Sequence, residues 1–135
     1  SEILRAVRGT SLEISVPADY DERIDTGAGA AFVTAFKQWL ADNPDKLADN
    51  GGSDDVSAMS AFGYDAYMAA VTAAQKAGGA GPADILAALP GTTVSGATGV
   101  VTLTAAGTAE RDGACILGAD TSDVSWDFVT YQKAD

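Results

Sequence analysis

The chain contains no histidine and one cysteine, so a Ser-His-Asp or Cys-His nucleophile cannot be assembled within it, nor can a histidine-containing metal site. Cys115 lacks a partner for an internal disulfide, although it could pair outside the chain; its neighbours Ala114, Ile116 and Leu117 read as a strand in which the thiol is a small apolar filler. The segment Gly27-Ala28-Gly29-Ala30-Ala31-Phe32 opens like a dinucleotide fingerprint. Phe32, however, occupies the place of the third glycine, and no strand runs directly into the segment, so it is read as a helix entrance. There is no Gly-Lys-Ser/Thr phosphate loop. Asp42, Asp45, Asp49, Asp54 and Asp55 offer hard oxygen ligands, but their spacing is not that of an EF-hand, and solvated loop carboxylates and helix caps account for them. Nineteen acidic residues spread along the chain give many accidental carboxylate pairs and single out none for acid-base work. No catalytic residue, metal or cofactor is therefore expected, and the chain is read as a binding protein and not an enzyme.

The elements that would position a binding site follow from periodicity. Ile3, Leu4 and Val7 sit at helical spacing before Gly9, as in the tail of a helix. Residues 11–16 alternate polar with apolar, which predicts a strand ended by Pro17. Phe32, Phe36 and Leu40, with Val33 and Trp39 beside them, predict an amphipathic helix that stops near Asn43-Pro44. A polar loop follows. A long helix is expected over about 56–77, capped by Ser53, Asp54 or Asp55 and broken by Gly78-Gly79-Ala80-Gly81. Pro82 then starts a short helix lined by Ile85, Leu86 and Leu89, and from Thr92 the period changes to two, predicting three strands. Helices packed on a partial sheet, with a C-terminal antiparallel hairpin, make an α/β fold.

A length of 135 residues with 47% hydrophobic content suits a single domain with one core. A net charge of −11 repels phosphate backbones and argues against nucleic acid as a partner. No apolar run has membrane-spanning length, and the amino terminus lacks a basic stretch leading into an apolar signal core.

The order of motifs resembles the closing section of the Leu/Ile/Val-binding, type I periplasmic-binding-protein family. The relevant residues are Ala61-Phe62-Gly63-Tyr64-Asp65-Ala66-Tyr67 opening the long helix, the Gly-flanked strand Ser95-Gly96-Ala97-Thr98-Gly99-Val100-Val101-Thr102-Leu103, the turn at 105–109, and the final strands through Cys115 and Trp126-Asp127-Phe128-Val129. The family's members are two-lobed proteins much longer than this chain, so the resemblance implies that residues 1–135 are a C-terminal part of one. It implies a solute-binding protein of an ABC importer that holds a small polar ligand such as a branched-chain amino acid. Its partners would be permease subunits, and its location extracytoplasmic, at the periplasm or cell surface, with a lipid anchor conceivable in the full-length protein. Tyr64 matches the aromatic residue of the family's Gly-Tyr-Asp-Ala-like turn, which lies near the cleft, and is the first ligand-binding candidate; Phe62 and then Tyr20 follow. Tyr64 also shares a helical stripe with Met68 and Val71, which would equally build a core. Two other readings stand beside the importer: a ligand-sensing domain of a signalling receptor with the same fold, or a small binding module that self-associates.

Overall fold

The spacing of Phe32, Phe36 and Leu40 becomes helix α2, Ala28–Asp42, in the computed structural model of the chain, which describes residues 2–24, 26–79 and 81–134. Ser1 of the first helical segment and Ala80 of the glycine-rich break lie outside these residues. Helix α1 spans Glu2–Ala6 and buries Leu4. Asn43 ends α2 by donating its side-chain amide to the Trp39 carbonyl at 2.8 Å, and Pro44–Lys46 continues as a single 3-10 turn. The inward face of α2 is built by Phe32, Val33, Phe36 and Leu40, whereas Trp39 is half-exposed.

Helix α3, Ala58–Ala77, starts two residues later than its sequence pattern suggests, and its cap is Ser57, whose hydroxyl accepts from the Ser60 amide at 3.1 Å. Of the expected caps, the Ser53 hydroxyl accepts from the Asp55 amide at 3.2 Å instead, and Asp54 and Asp55 are exposed. The Asn50 side chain donates to the carbonyls of Ser53 and Asp55, and the Val56 amide donates to Glu22 Oε2 at 2.9 Å. Glu22 also accepts from Lys37 at 2.9 Å and so clasps α2 to the entry of α3. Gly78 closes α3, and after it α4 runs Pro82–Ala88 with Leu86 mostly exposed.

The remaining chain forms two three-stranded sheets, antiparallel throughout. In the first, β1 (Ser15–Ala18), β5 (Gly113–Asp120) and β6 (Ser125–Lys133) lie in the order β1-β5-β6, so the C-terminal hairpin β5–β6 is completed by an early strand. The expected strand over 11–16 is thus displaced, and Pro17 lies inside β1 opposite Ile116. An edge strand tolerates a proline because the missing N–H leaves no hole in an interior ladder. The second sheet has the order β2 (Thr93–Gly96), β3 (Gly99–Leu103), β4 (Ala109–Arg111). The stretch 95–103, expected as one strand, is therefore a tight hairpin turned at Ala97-Thr98, and five strands follow Thr92 instead of three.

Two cores result. Tyr20, Ile24, Val56, Ala61, Ala97 and Cys115 form the larger, between α2, α3 and the first sheet; Ala69, Val94 and Val101 form the smaller, between α3 and the second sheet. Cys115 is fully buried on β5, and burial pushes its thiol above the ordinary range, consistent with an inert apolar filler. Ile24, 1% exposed, contributes about 2 kcal/mol of apolar burial.

Candidate functional site

Helix α3 turns inward the stripe Ala61, Asp65, Ala69 and Ala73, one residue per turn. Three small apolar side chains and one carboxylate thus share the face against the sheets. Asp65 is 5% exposed, and a carboxylate so placed requires several donors to replace water. The β2–β3 turn supplies them. Asp65 accepts from the Ala97 amide at 2.5 Å, the Thr98 amide at 3.3 Å and the Thr98 hydroxyl at 2.5 Å. The Thr98 hydroxyl in turn accepts from Arg111 Nε on β4 at 3.0 Å. A Cβ at Gly96 would collide with the Asp65 carboxylate, so only glycine lets the turn approach α3 this closely. The Gly-Tyr-Asp-Ala and Gly-x-x-Gly motifs are two halves of one lock.

A second polar cluster lies on the other side of that turn. Asp112 accepts from the Val100 amide at 2.9 Å and the Tyr131 hydroxyl at 2.6 Å, and pairs with Lys133 at 3.4 Å. Together with Thr26 and Ser95 these groups line a cleft of about 250 Å³. Gly99, at φ 109°, packs beneath the Tyr131 hydroxyl, where both the backbone angle and the space exclude a side chain. Burial tends to raise the Asp112 pKa, but hydrogen bonds from Tyr131, the Val100 amide and Lys133 outweigh it and leave the carboxyl below its usual range. Asp21 is lowered as well, mainly by the hydrogen bond from the Arg23 side chain. Both groups bind protons more weakly folded than unfolded. Their stabilisation is therefore complete above the unfolded carboxylate pKa and lost as pH falls through the folded value. The urea midpoint should stay level from neutral pH to about pH 5 and fall below about pH 4, with Asp112→Asn reducing the fall. A midpoint that rises on acidification would contradict this assignment.

The three aromatic candidates occupy different settings. Phe62 lines a groove between α3 and the β3–β4 side of the second sheet, with the Arg111 guanidinium 4.7 Å above its ring centroid. Tyr64 packs on the larger core, its ring 4.6 Å from that of Phe32 at 34°, a tilted aromatic contact. Tyr20 is buried in the same core, and its hydroxyl has no hydrogen-bond partner among the described residues. Burial, reinforced by Glu22 and Asp21, raises the Tyr20 pKa, so a protonated donor stays without an acceptor. Tyr20→Phe should therefore raise stability by about 1 kcal/mol, read as a higher urea midpoint; a loss of that size would show that the hydroxyl is satisfied in solution. In the acidic loop, Lys46 pairs with Asp49 at 3.3 Å and with Asp45 at 3.8 Å, while Asp42 accepts from Gln38.

Sequence reasoning missed Asp65 and Arg111 as the polar centre of this region. A signal existed for the first: Asp65 stands at four-residue spacing from Ala61 and Ala69, on an otherwise small apolar stripe. None existed for Arg111, which stands between Glu110 and Asp112 outside every motif of the sequence.

No protein-family model and no curated protein sequence matches the chain. Among solved structures, the leucine-binding protein LivK of Thermotoga maritima superposes over 96% of this chain with a TM-score of 0.64 and 23% sequence identity. The fold is α/β, with a C-terminal antiparallel hairpin, and resembles part of a periplasmic-binding-protein lobe. The chain spans 32% of that protein's length. In this fold the α3 lock fastens the long helix to the second sheet, and the β5–β6 hairpin completes the first. Among the described residues, no helix is long and apolar enough to cross a membrane.

Proposed function

We propose that the chain is part of an extracytoplasmic solute-binding protein of an ABC importer, a non-catalytic receptor that takes a small polar ligand such as a branched-chain amino acid. The observation that carries this reading is the superposition of nearly the whole chain on a leucine-binding protein. The ordered motifs around Gly63-Tyr64-Asp65-Ala66 and Gly96-Ala97-Thr98-Gly99 support it independently. In such a protein two lobes close around the ligand, and a piece of one lobe supplies only part of the contacts. Of the three aromatic candidates Phe62 fits the role best. Its ring faces a groove, whereas Tyr64 packs against Phe32 and Tyr20 is enclosed in the core.

The test is calorimetric titration of L-leucine, L-isoleucine and L-valine into the protein expressed from its full reading frame. At least one should bind saturably, and Phe62→Ala should weaken it about tenfold or more, as loss of an aromatic anchor does. Absence of binding across the three amino acids would remove the branched-chain ligand from the reading.

A further inference from the structure

We infer that the groove between α3 and the β3–β4 side of the second sheet is a binding site for an aliphatic carboxylate of medium chain length. The groove is the one that Phe62 faces, so the inference shares that residue with the transport reading; its own evidence is Arg111 and the alanine floor, and octanoate binding is read separately from binding of the branched-chain amino acids. The groove encloses about 450 Å³, within the range of small-ligand sites, roughly 300–1,000 Å³. Its walls are Ala66, Ala69 and Ala70 of α3 facing Leu89, Val101 and Leu103. Alanines on the helix side explain why the groove is open: larger side chains there would fill the space between helix and sheet. From Phe62 to Ala70 the helix rises about 12 Å, which sets the length of chain that can lie along it.

One end of this apolar channel is cationic. Arg111 is held in place from two sides, by the hydrogen bond from Nε to Thr98 Oγ at 3.0 Å and by the Phe62 ring 4.7 Å beneath its guanidinium. Among the described residues no carboxylate forms an ion pair with it, although the chain carries nineteen acidic residues. Asp65 also borders the groove, but it accepts from the Ala97 amide, the Thr98 amide and the Thr98 hydroxyl, and it lies behind Thr98 as seen from Arg111 in the hydrogen-bonded series. The terminal guanidinium nitrogens thus form a fixed fork with open donors, suited to a planar monoanion. A dianionic phosphate is disfavoured by Asp65 nearby and by a lining that is otherwise apolar. An alkyl ammonium would meet like charge at Arg111. A carboxylate at Arg111 with its alkyl chain along the alanine floor satisfies both ends.

The experiment is calorimetric titration of octanoate, octylammonium and acetate into the protein expressed from its full reading frame, with sedimentation run beside it. Octanoate should bind saturably at one site, and octylammonium and acetate should each bind at least tenfold more weakly. Arg111→Gln should lower octanoate affinity about tenfold or more, Arg111→Lys less, since it keeps the charge and loses the fork. Ala66→Trp, at an exposed position on the groove wall, should block octanoate without altering the circular dichroism spectrum. Equal binding of octanoate and octylammonium would reduce the groove to non-specific apolar surface and overturn the assignment. A dimer that Ala66→Trp disrupts, together with no octanoate binding, would assign the groove to a second copy of the chain and overturn it as well.

Discussion

Asp65→Ala is expected to lower stability by about 3–5 kcal/mol, the loss that follows when buried groups are stripped of a charged partner. The alanine has no acceptor for the Ala97 and Thr98 amides, and the Thr98 hydroxyl loses the oxygen it donates to. Thr98 and Ala97 are both fully buried, so water cannot replace the carboxylate without opening the turn. Against a total of about 5–15 kcal/mol for an ordinary domain, this is at least about a fifth of what holds the chain folded. Asp65→Asn should cost less, because its amide oxygen can still accept from Ala97 while its NH₂ group faces the Thr98 amide, donor against donor. Urea unfolding gives the ranking wild type, Asp65→Asn, Asp65→Ala. A loss below about 1 kcal/mol for the alanine variant would mean that the lock contributes no more than an exposed pair does.

Gly96→Ala is expected to cost about 2–3 kcal/mol, the range of steric overpacking, although it adds one methyl group. That methyl would occupy the space of the Asp65 carboxylate. Either the β2–β3 turn withdraws from α3 or the carboxylate leaves its donors. The two substitutions should therefore couple. In the Asp65→Ala background the obstructing atoms are gone, and Gly96→Ala should cost little. Additive losses in the double variant would place the strain of Gly96→Ala elsewhere than at Asp65.

The amphipathic spacing of Phe32, Phe36 and Leu40 was sufficient to locate α2, because a 3.6-residue period is a local property of the chain. For the same reason Asn43-Pro44 marked the end of that helix, and the change to a period of two from Thr92 marked the region of the C-terminal strands. The limits of α3 and the position of β1 shifted, since both answer to contacts distant in sequence. Glu22 takes the Val56 amide 34 residues away, and β1 takes its register from β5. The hairpin at Ala97-Thr98 was hidden within an apolar-looking stretch because its turn is held by a helix carboxylate and not by turn residues alone.

The same division runs through the candidate site. Composition alone determined that no histidine, paired thiols or phosphate loop is present in this chain, and the motif order pointed to the fold that the superposition bears out. Which aromatic faces a groove, which carboxylate is buried and which arginine is left with open donors were decided only by the tertiary structure. The physical reason is that a side chain's chemistry depends on its surroundings. Asp65 becomes a structural centre when α3 brings it against amides 32 and 33 residues further along the chain. Asp54, of the same residue type, remains in solvent in the loop before that helix. A carboxylate reads identically in sequence in both settings, and only burial and donors make one of them essential.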